Sequence, residues 1–552
     1  MLVWIIAPLT ATVVPAEQRR GGSRAQDPSD AALAVITPEA IRAHMSFLAD
    51  DLLEGRGTGT RGYELAAHYV ASQFEQMGLA PAGANGTYYQ PVPLRRIELD
   101  AERSWLELVR KGKAERLVLG RDFAAPGHEV HTDTRAEAPV VFVGFGVTAP
   151  ELGYDDYAGI DVRGKIVAMF SNAPAKFASS ERAHFSSRDL KAANAARRGA
   201  VGMLVLWTEK EEKRFPWAQL TRILRKPGYR WLDAQGMPND AQPQLRAGGV
   251  LSLEQSRALF AGATKSYEQA AADAEQSRAQ AFALQVTARM RRVSRHESVS
   301  SPNVAAVLRG SDAKLREEYV VYTAHLDHEG IGEPRDGDAI YNGALDNASG
   351  IAQMLEAARA FARLPKPPRR SVVFVAVAAE EEGLLGSEYY ANFPTVPARA
   401  IVANVNLDGG LILYPGDAVV HGADHSSMGA VAEAAAKRLG IVLSPDPAPE
   451  ENFFVRSDQY SFIKKGVPAV FVFPGMKSSA PEIDGQARFL EYLAERYHTP
   501  LDDMSQPFSF EAGALGARFN FLIGYAVAQQ TERPRWNEGD FFGETFASNK
   551  TR

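Results

Sequence analysis

The chain has 552 residues, 45% hydrophobic and 23% charged, enough to bury a large core and to form more than one domain. Its 61 basic and 67 acidic residues give a net charge of -6, without the basic excess that a nucleic-acid footprint needs. With no cysteine there are no disulfides, no thiolate catalysis and no zinc–thiolate sites, so any metal must sit on His, Asp and Glu.

The opening MLVWIIAPLTATVVPA has an apolar centre and small residues near Ala16, so a secretory signal is expected, though without the usual basic start, and with it a periplasmic or secreted location. It is too short for a comfortable membrane span, and no later segment offers one. Residues 1–36 are expected to form this signal-like segment and a disordered tail, EQRRGGSRAQDPSD being polar and Gly/Ser-rich.

From Thr37 the pattern turns helical. PEAIRAHMSFLADDLLEG places Ile41, Met45, Leu48 and Leu52 on one face, with Thr37 as its cap. RGYELAAHYVASQFEQMG gives a second helix after the turn GRGTGTRG. Gly57, Gly59 and Gly62 in that turn have dinucleotide-motif spacing, but no strand precedes them, and a structural loop is expected. YYQPVPLRRIEL and SWLELVRK alternate like strands. APVVFVGFGV, KIVAMFS and VGMLVLW then read as compact apolar strands separated by turns and the helical run DLKAANAARRGA. They suggest an inserted α/β module ending near the Ala-rich EQAAADAEQSRAQAFA. The expected division is a main domain over 37–130 and 286–545, interrupted by a module over 131–285.

After SSPNVAAVLRG, apolar strands alternate with helices: YVVYTA (Tyr319 to Ala324), SVVFVAVA (Ser371 to Ala378), IVANVNL (Ile401 to Leu407) and VPAVFVF (Val467 to Phe473). Continuous apolar strands spaced by helices predict an α/β fold, a mostly parallel mixed sheet covered by helices on both faces. Ligands gather outside the carboxyl ends of such strands. Three of the strands run there into metal-competent side chains: His325 and Asp327, Glu380 and Glu381, and Asp408. NGALDNASG adds Asp346 at the mouth of a helix, where Asp also serves as a plain cap. ERYHTPLDD adds His498 before a proline turn. Asp327, two residues past His325, is spaced to accept from the second nitrogen of a metal-bound imidazole. His328 lies past the strand end and is expected to be a loop residue. Glu382 is expected to be a solvated turn residue.

AHLDH, GALDNASG, EEEGLLGS, NLDGG and YHTP, in this order, resemble the zinc exopeptidases of metallopeptidase family twenty-eight. That family includes secreted leucine-type aminopeptidases, plasma glutamate carboxypeptidase and, with altered sites, glutaminyl cyclase and the transferrin receptor. The resemblance implies two zinc ions per chain bridged by Asp346, one completed by His325 and Asp408, the other by Glu381 and His498. Asp327 would orient a ligand and Glu380 would be the general base. Tyr497 would stabilise the oxyanion, a position that ordinary packing also explains. The inserted module resembles the protease-associated (PA) domain. The implied reaction is hydrolysis of a peptide bond beside a free terminus, with an aminopeptidase favoured because surplus carboxylate charge attracts a substrate ammonium. The alternatives are a carboxypeptidase or dipeptidase and a glutaminyl cyclase on the same scaffold, and, from another class, a non-catalytic receptor-like module. The loop ENFFVRSDQYSF departs from the family's RSDHY by Gln459. It offers Arg456 for a substrate carboxylate and Phe453 and Phe454 for an apolar specificity pocket, although core packing explains two adjacent aromatics equally well. The expected partners are peptides, with no nucleic acid.

Overall fold

The computed structural model describes residues 27–449 and 452–547. The signal-like Met1 to Ala16 lies outside them. The strands Tyr319–His325, Ser371–Val377, Ile401–Asn406 and Ala469–Ser478 form the parallel heart of a large mixed sheet. Gly416–His421 flanks it antiparallel on one side, and the 27-residue strand Phe282–Leu308 on the other. Successive side chains of an extended chain point to opposite faces. Val320, Tyr322, Ala324, Val372 and Phe374 accordingly pack under the helices Gly350–Ala362 and Phe510–Gln529, while Tyr319, Val321, Val373 and Val375 pack against Tyr390 and Phe462. Both faces are thus buried, each enclosed Val or Phe contributing about 1.5–3 kcal/mol, which is why these strands read as unbroken apolar runs. Among the described residues no helix is long and apolar enough to cross a membrane.

Phe282–Leu308 links two bodies. Its second half pairs with Tyr89–Leu99 and Ser371–Val377; its first half pairs with Trp105–Arg110 and Asp133–Phe142, at the edge of a smaller parallel array of Ile166–Phe170, Gly202–Leu206 and Ala247–Leu251. A separate core fills this second body and takes in Leu106, Leu108, Leu117 and Phe123 as well as Leu284 to Met290. The inserted body is therefore wider than 131–285 at both ends. Alternation in the hairpin Trp105–Leu117 marks strands but carries no sign of the sheet they join.

Two further expectations change. Asp27 caps a short helix, Pro28–Leu33, and Ala32 and Ile36 are buried in the main core, so order begins before residue 37. Thr37 caps Pro38–Leu48 as expected, but the helix stops there. Asp50 starts a separate turn, Asp51–Arg56, and Leu52 is 78% exposed instead of lying on the apolar face.

The inserted body docks beside the far end of the parallel sheet. Ser179 meets the Pro449 carbonyl at 2.5 Å and Asn452 at 2.8 Å, and the His184 ring meets the Tyr460 hydroxyl at 2.7 Å. Ser180 reaches His425 at 3.3 Å, and the other ring nitrogen of His425 is 2.6 Å from Asp540.

Candidate active site

The carboxyl ends of the parallel strands converge as the topology requires. His325 ends its strand, 1% exposed. Glu380 and Glu381 follow Ser371–Val377, and Asp408 follows Ile401–Asn406. Asp346 enters from the segment Ala344–Ser349, and His498 from the chain after the helical turn Tyr492–Arg496. The His325 Nε2 stands 3.2 Å from one oxygen of Asp346 and 3.4 Å from Asp408. The His498 Nε2 stands 3.2 Å from the other oxygen of Asp346 and 3.1 Å from Glu381. One carboxylate thus faces two imidazoles, each with a further carboxylate.

These separations fit a metal. Two ligands about 2.0–2.1 Å from a tetrahedral zinc lie about 3.3 Å from each other. The charges fit as well. Burial alone would push His325 down, yet Glu380, Asp408 and Asp346 hold it well above its ordinary value. His498 behaves likewise, burial being outweighed by Glu381 and Asp346. The imidazoles gather protons because the carboxylates of Asp346, Glu380, Glu381 and Asp408 crowd around them. Two divalent ions would balance four carboxylates and free both Nε2 atoms.

Several supports carry no signal in the sequence. The Asp502 carboxylate accepts from the amides of Leu345 and Asp346, both at 3.0 Å, and from Gln506 at 2.6 Å, fixing the segment that presents Asp346. Gly343 has a φ of +60°, and a Cβ there would lie 2.2 Å from the Asp346 carbonyl and 2.5 Å from the His328 ring, so only glycine fits. The Asn347 side-chain oxygen accepts from the amides of Gly350 and Gly409, joining the helix start to the Asp408 loop instead of acting as a simple cap. Ser457 donates to Asp408 at 2.7 Å. Arg56, in the glycine-rich turn, is 1% exposed and donates to the carbonyls of Leu48, Leu326, Asn342 and Gly343. Asp502 follows His498 by four residues, the one positional hint among these.

Two expected roles are corrected and a third is extended. The Asp327 carboxylate does not meet the His325 ring. It accepts from the amides of Glu380 at 3.1 Å and Glu381 at 3.2 Å, and it is the Asp327 backbone carbonyl that lies 3.2 Å from His325 Nδ1. Asp327 therefore shapes the glutamate turn and orients the histidine through its main chain. His328 lies in the loop past the strand end as expected, but it is no bystander: it is buried, with Nδ1 2.7 Å from Glu381 and no hydrogen-bond partner at Nε2. Glu382 is not fully solvated. Burial, with Glu329, Asp327 and Glu381 nearby, pushes its carboxyl up to about 8.

A cavity of about 230 Å³ opens on this cluster, reached by Asp346, Glu380 and Asp408 and walled by Leu413, Phe453, Phe471, Phe473 and Phe489. Burial pushes Glu380 well above the carboxylate range; His325 opposes this, and Glu381, Asp458 and Asp408 reinforce it. Tyr497 stacks on His498 at 3.8 Å and lines the mouth, its phenol held up by burial and by Asp346, Glu381 and Glu380. Arg456 also lines the cavity, 5.7 Å over the Phe453 ring. Phe454 does not: it is 7% exposed, stacks on His425 and packs in a small core with Ile463, Ala469 and Phe542. Gln459 is fully buried, holding the carbonyls of Phe453 and Phe454 and the Asn406 amide, so it supports the cavity wall from behind.

Residues 303–518 match the model of Peptidase family M28. A stretch of 110 residues, 20% of this chain, is 37% identical to a Pyrenophora teres f. teres protein named "Probable zinc metalloprotease", covering 23% of it. A stretch of 119 residues, 21% of this chain, is 34% identical to the aminopeptidase NAALADL1 of Mus musculus, covering 14% of it. The chain therefore spans about a quarter or less of the length of these relatives. The aminopeptidase from Aneurinibacillus sp. strain AM-1 shares the fold, with a TM-score of 0.53 at 20% identity over 92% of this chain and 97% of that one. The segment that matches the Peptidase family M28 model, residues 303–518, is the one that holds His325, Asp346, Glu380, Glu381, Asp408 and His498.

Proposed function

We propose that the chain is a co-catalytic di-zinc exopeptidase that removes residues with apolar side chains from the free amino terminus of peptides. The observation that carries this reading is Asp346, whose two oxygens each face a different imidazole 3.2 Å away. His325 and Asp408 would complete one metal site, Glu381 and His498 the other. When bound, the metal pair polarises the scissile carbonyl and acidifies the attacking water. Glu380 enters neither imidazole–carboxylate pair and lines the cavity beside both, where it takes the proton of that water and returns it to the leaving amine. Tyr497, protonated at neutral pH, donates towards the developing oxyanion.

The direction of attack rests on charge. Beyond the four carboxylates that two dications would balance lie the acidic side chains of Asp327 and Asp458, raised by burial and by neighbouring carboxylates, a crowding of like charge that a substrate ammonium would relieve. The aromatic wall of Phe453, Phe471, Phe473 and Phe489 suits an apolar first side chain. Arg456 on the same cavity supports the second reading, a carboxypeptidase whose substrate carboxylate meets the guanidinium. Hydrolysis of free and amino-blocked dipeptides, with chelator controls, separates the two. Cleavage confined to free amino termini is expected; equal cleavage of blocked substrates would reject the aminopeptidase. The inserted body is read as a protease-associated domain, and the chain as a periplasmic or secreted protein.

A further inference from the structure

The inserted body sends one arm back onto the peptidase sheet. After the helix Trp217–Arg225, the chain passes Lys226 and enters the strand Gly228–Trp231, which pairs antiparallel with Leu94 to Ile97 of the main sheet. The Trp231 ring joins the main core, and its indole N–H donates to Glu388 at 3.0 Å. This double anchorage fixes where Lys226 stands. Its ammonium pairs with one oxygen of Glu329, while the other oxygen of Glu329 lies 3.5 Å from Nδ1 of His498, whose Nε2 faces Asp346 and Glu381.

We propose that Glu329 is a positioning residue for His498 as a metal ligand, and that Lys226, supplied by the inserted body, holds Glu329 in place. This rests on the reading of His498 as a ligand. An imidazole that coordinates through Nε2 must keep its proton on Nδ1, and a carboxylate accepting there fixes the tautomer and ring angle and raises the basicity of Nε2. His498 needs such help. It is 31% exposed on its side chain and has a φ of +55°, a backbone region that costs a non-glycine residue energy. Glu329 in turn stands among like charges: ligand-capable atoms of Glu329, Glu381 and His498 lie within 4.8 Å of one another, and Glu382 is close by. Without a cation it would be repelled from this place, and Lys226 is the cation paired with it. A surface ion pair of this exposure ordinarily contributes about 0–1 kcal/mol to stability. Its effect here is instead on the metal, so that docking of the inserted body and metal affinity are coupled.

The test measures zinc affinity of the full chain by competition with a chromophoric chelator, alongside melting of the zinc-free protein. Glu329→Gln is expected to weaken the binding of one of two zinc ions by about 10–100-fold, and Lys226→Met to weaken it less, in the same direction. The double variant should lose no more than Glu329→Gln alone, Lys226→Arg should restore wild-type affinity, and zinc-free melting should be unchanged in all four. His498→Ala separates the two levels of the reading. If it loses a zinc while Glu329→Gln binds both as the wild type does, this inference alone is overturned. If it keeps both zinc ions, its assignment as a ligand falls, and the inference with it. Unchanged affinity in Lys226→Met beside a loss in Glu329→Gln would remove the inserted body from the metal centre.

Discussion

Arg56→Met deletes a guanidinium that ties together three distant pieces of chain. Arg56 donates to Leu326 at 2.9 Å, Asn342 at 2.6 Å and Gly343 at 3.0 Å, and also to Leu48, all through backbone carbonyls. A hydrogen bond from a charged group contributes about 1.5–3 kcal/mol net, so four amount to roughly 6–12 kcal/mol. Against this stands the cost of burying the charge. Burial pulls the group from 12.5 down to about 10, even with Asp327, Asp502, Asp346 and Glu381 attracting it, a cost of roughly 3 kcal/mol. The net loss on substitution is therefore about 3 kcal/mol or more, in line with the 3–5 kcal/mol lost when a buried charge network is broken. The loss should be local first, because Leu326 precedes Asp327 and Gly343 opens the segment that carries Asp346. Hydrogen exchange of the zinc-free protein, read on peptides covering 326–329 and 342–349, should show opening at least a hundredfold faster, at about 1.4 kcal/mol per decade. Arg56→Lys should not rescue it, since one ammonium cannot reproduce the planar fork. Exchange within tenfold of wild type in both segments would refute the reasoning.

Glu380→Gln should keep zinc and lose about 10²–10⁴ in kcat; retained turnover would remove Glu380 from its role. Its zinc-free form should melt higher than wild type at pH 8, because a buried carboxyl with a raised pKa destabilises the fold once it must ionise. Chelation should abolish hydrolysis, with metal analysis of the reloaded protein giving two zinc ions per chain, and Asp346→Asn should bind fewer than two. Burial and Lys464 push His184 down to about 4, and burial, against Asp446, does the same to His421. The unfolded chain binds those protons below about 6.5 while the folded one does not until about 4, so their contribution to stability is full above that window and lost through it; between pH 7.5 and pH 5 His184→Gln should therefore lose less melting temperature than wild type, and an equal loss would contradict this. Phe453→Ala should raise KM for substrates with a large apolar first residue more than for alanyl ones, whereas Phe454→Ala should leave that preference alone and cost about 3–5 kcal/mol of stability.

That metal-competent side chains gather at one rim was legible because of where parallel sheets put things. Unbroken apolar runs ending in His325, Glu380 and Glu381, and Asp408 mark strands buried on both faces, and the carboxyl ends of adjacent parallel strands must share a rim. The short motifs NGALDNASG and YHTP then supply Asp346 and His498. What could not be read is how neighbours in sequence divide their work. Asp327 sits at the spacing of a histidine partner, yet its side chain turns to the amides of Glu380 and Glu381 and leaves its carbonyl to His325. Phe453 and Phe454 are equivalent on paper; one walls the cavity and the other faces His425.

By itself the sequence determined the alternation of strands and helices, the identity of the metal-competent side chains and the exclusion of thiolate chemistry, because hydrophobic period and residue type are local properties. Only the tertiary structure decided that the long strand Phe282–Leu308 belongs to two bodies, that Arg56 and Asp502 hold the Asp346 segment, and that Lys226 of the inserted body reaches Glu329. Those contacts join residues far apart in the chain whose types are ordinary. No spacing encodes them; they exist because folding buries their charges beside specific backbone groups and beside one another.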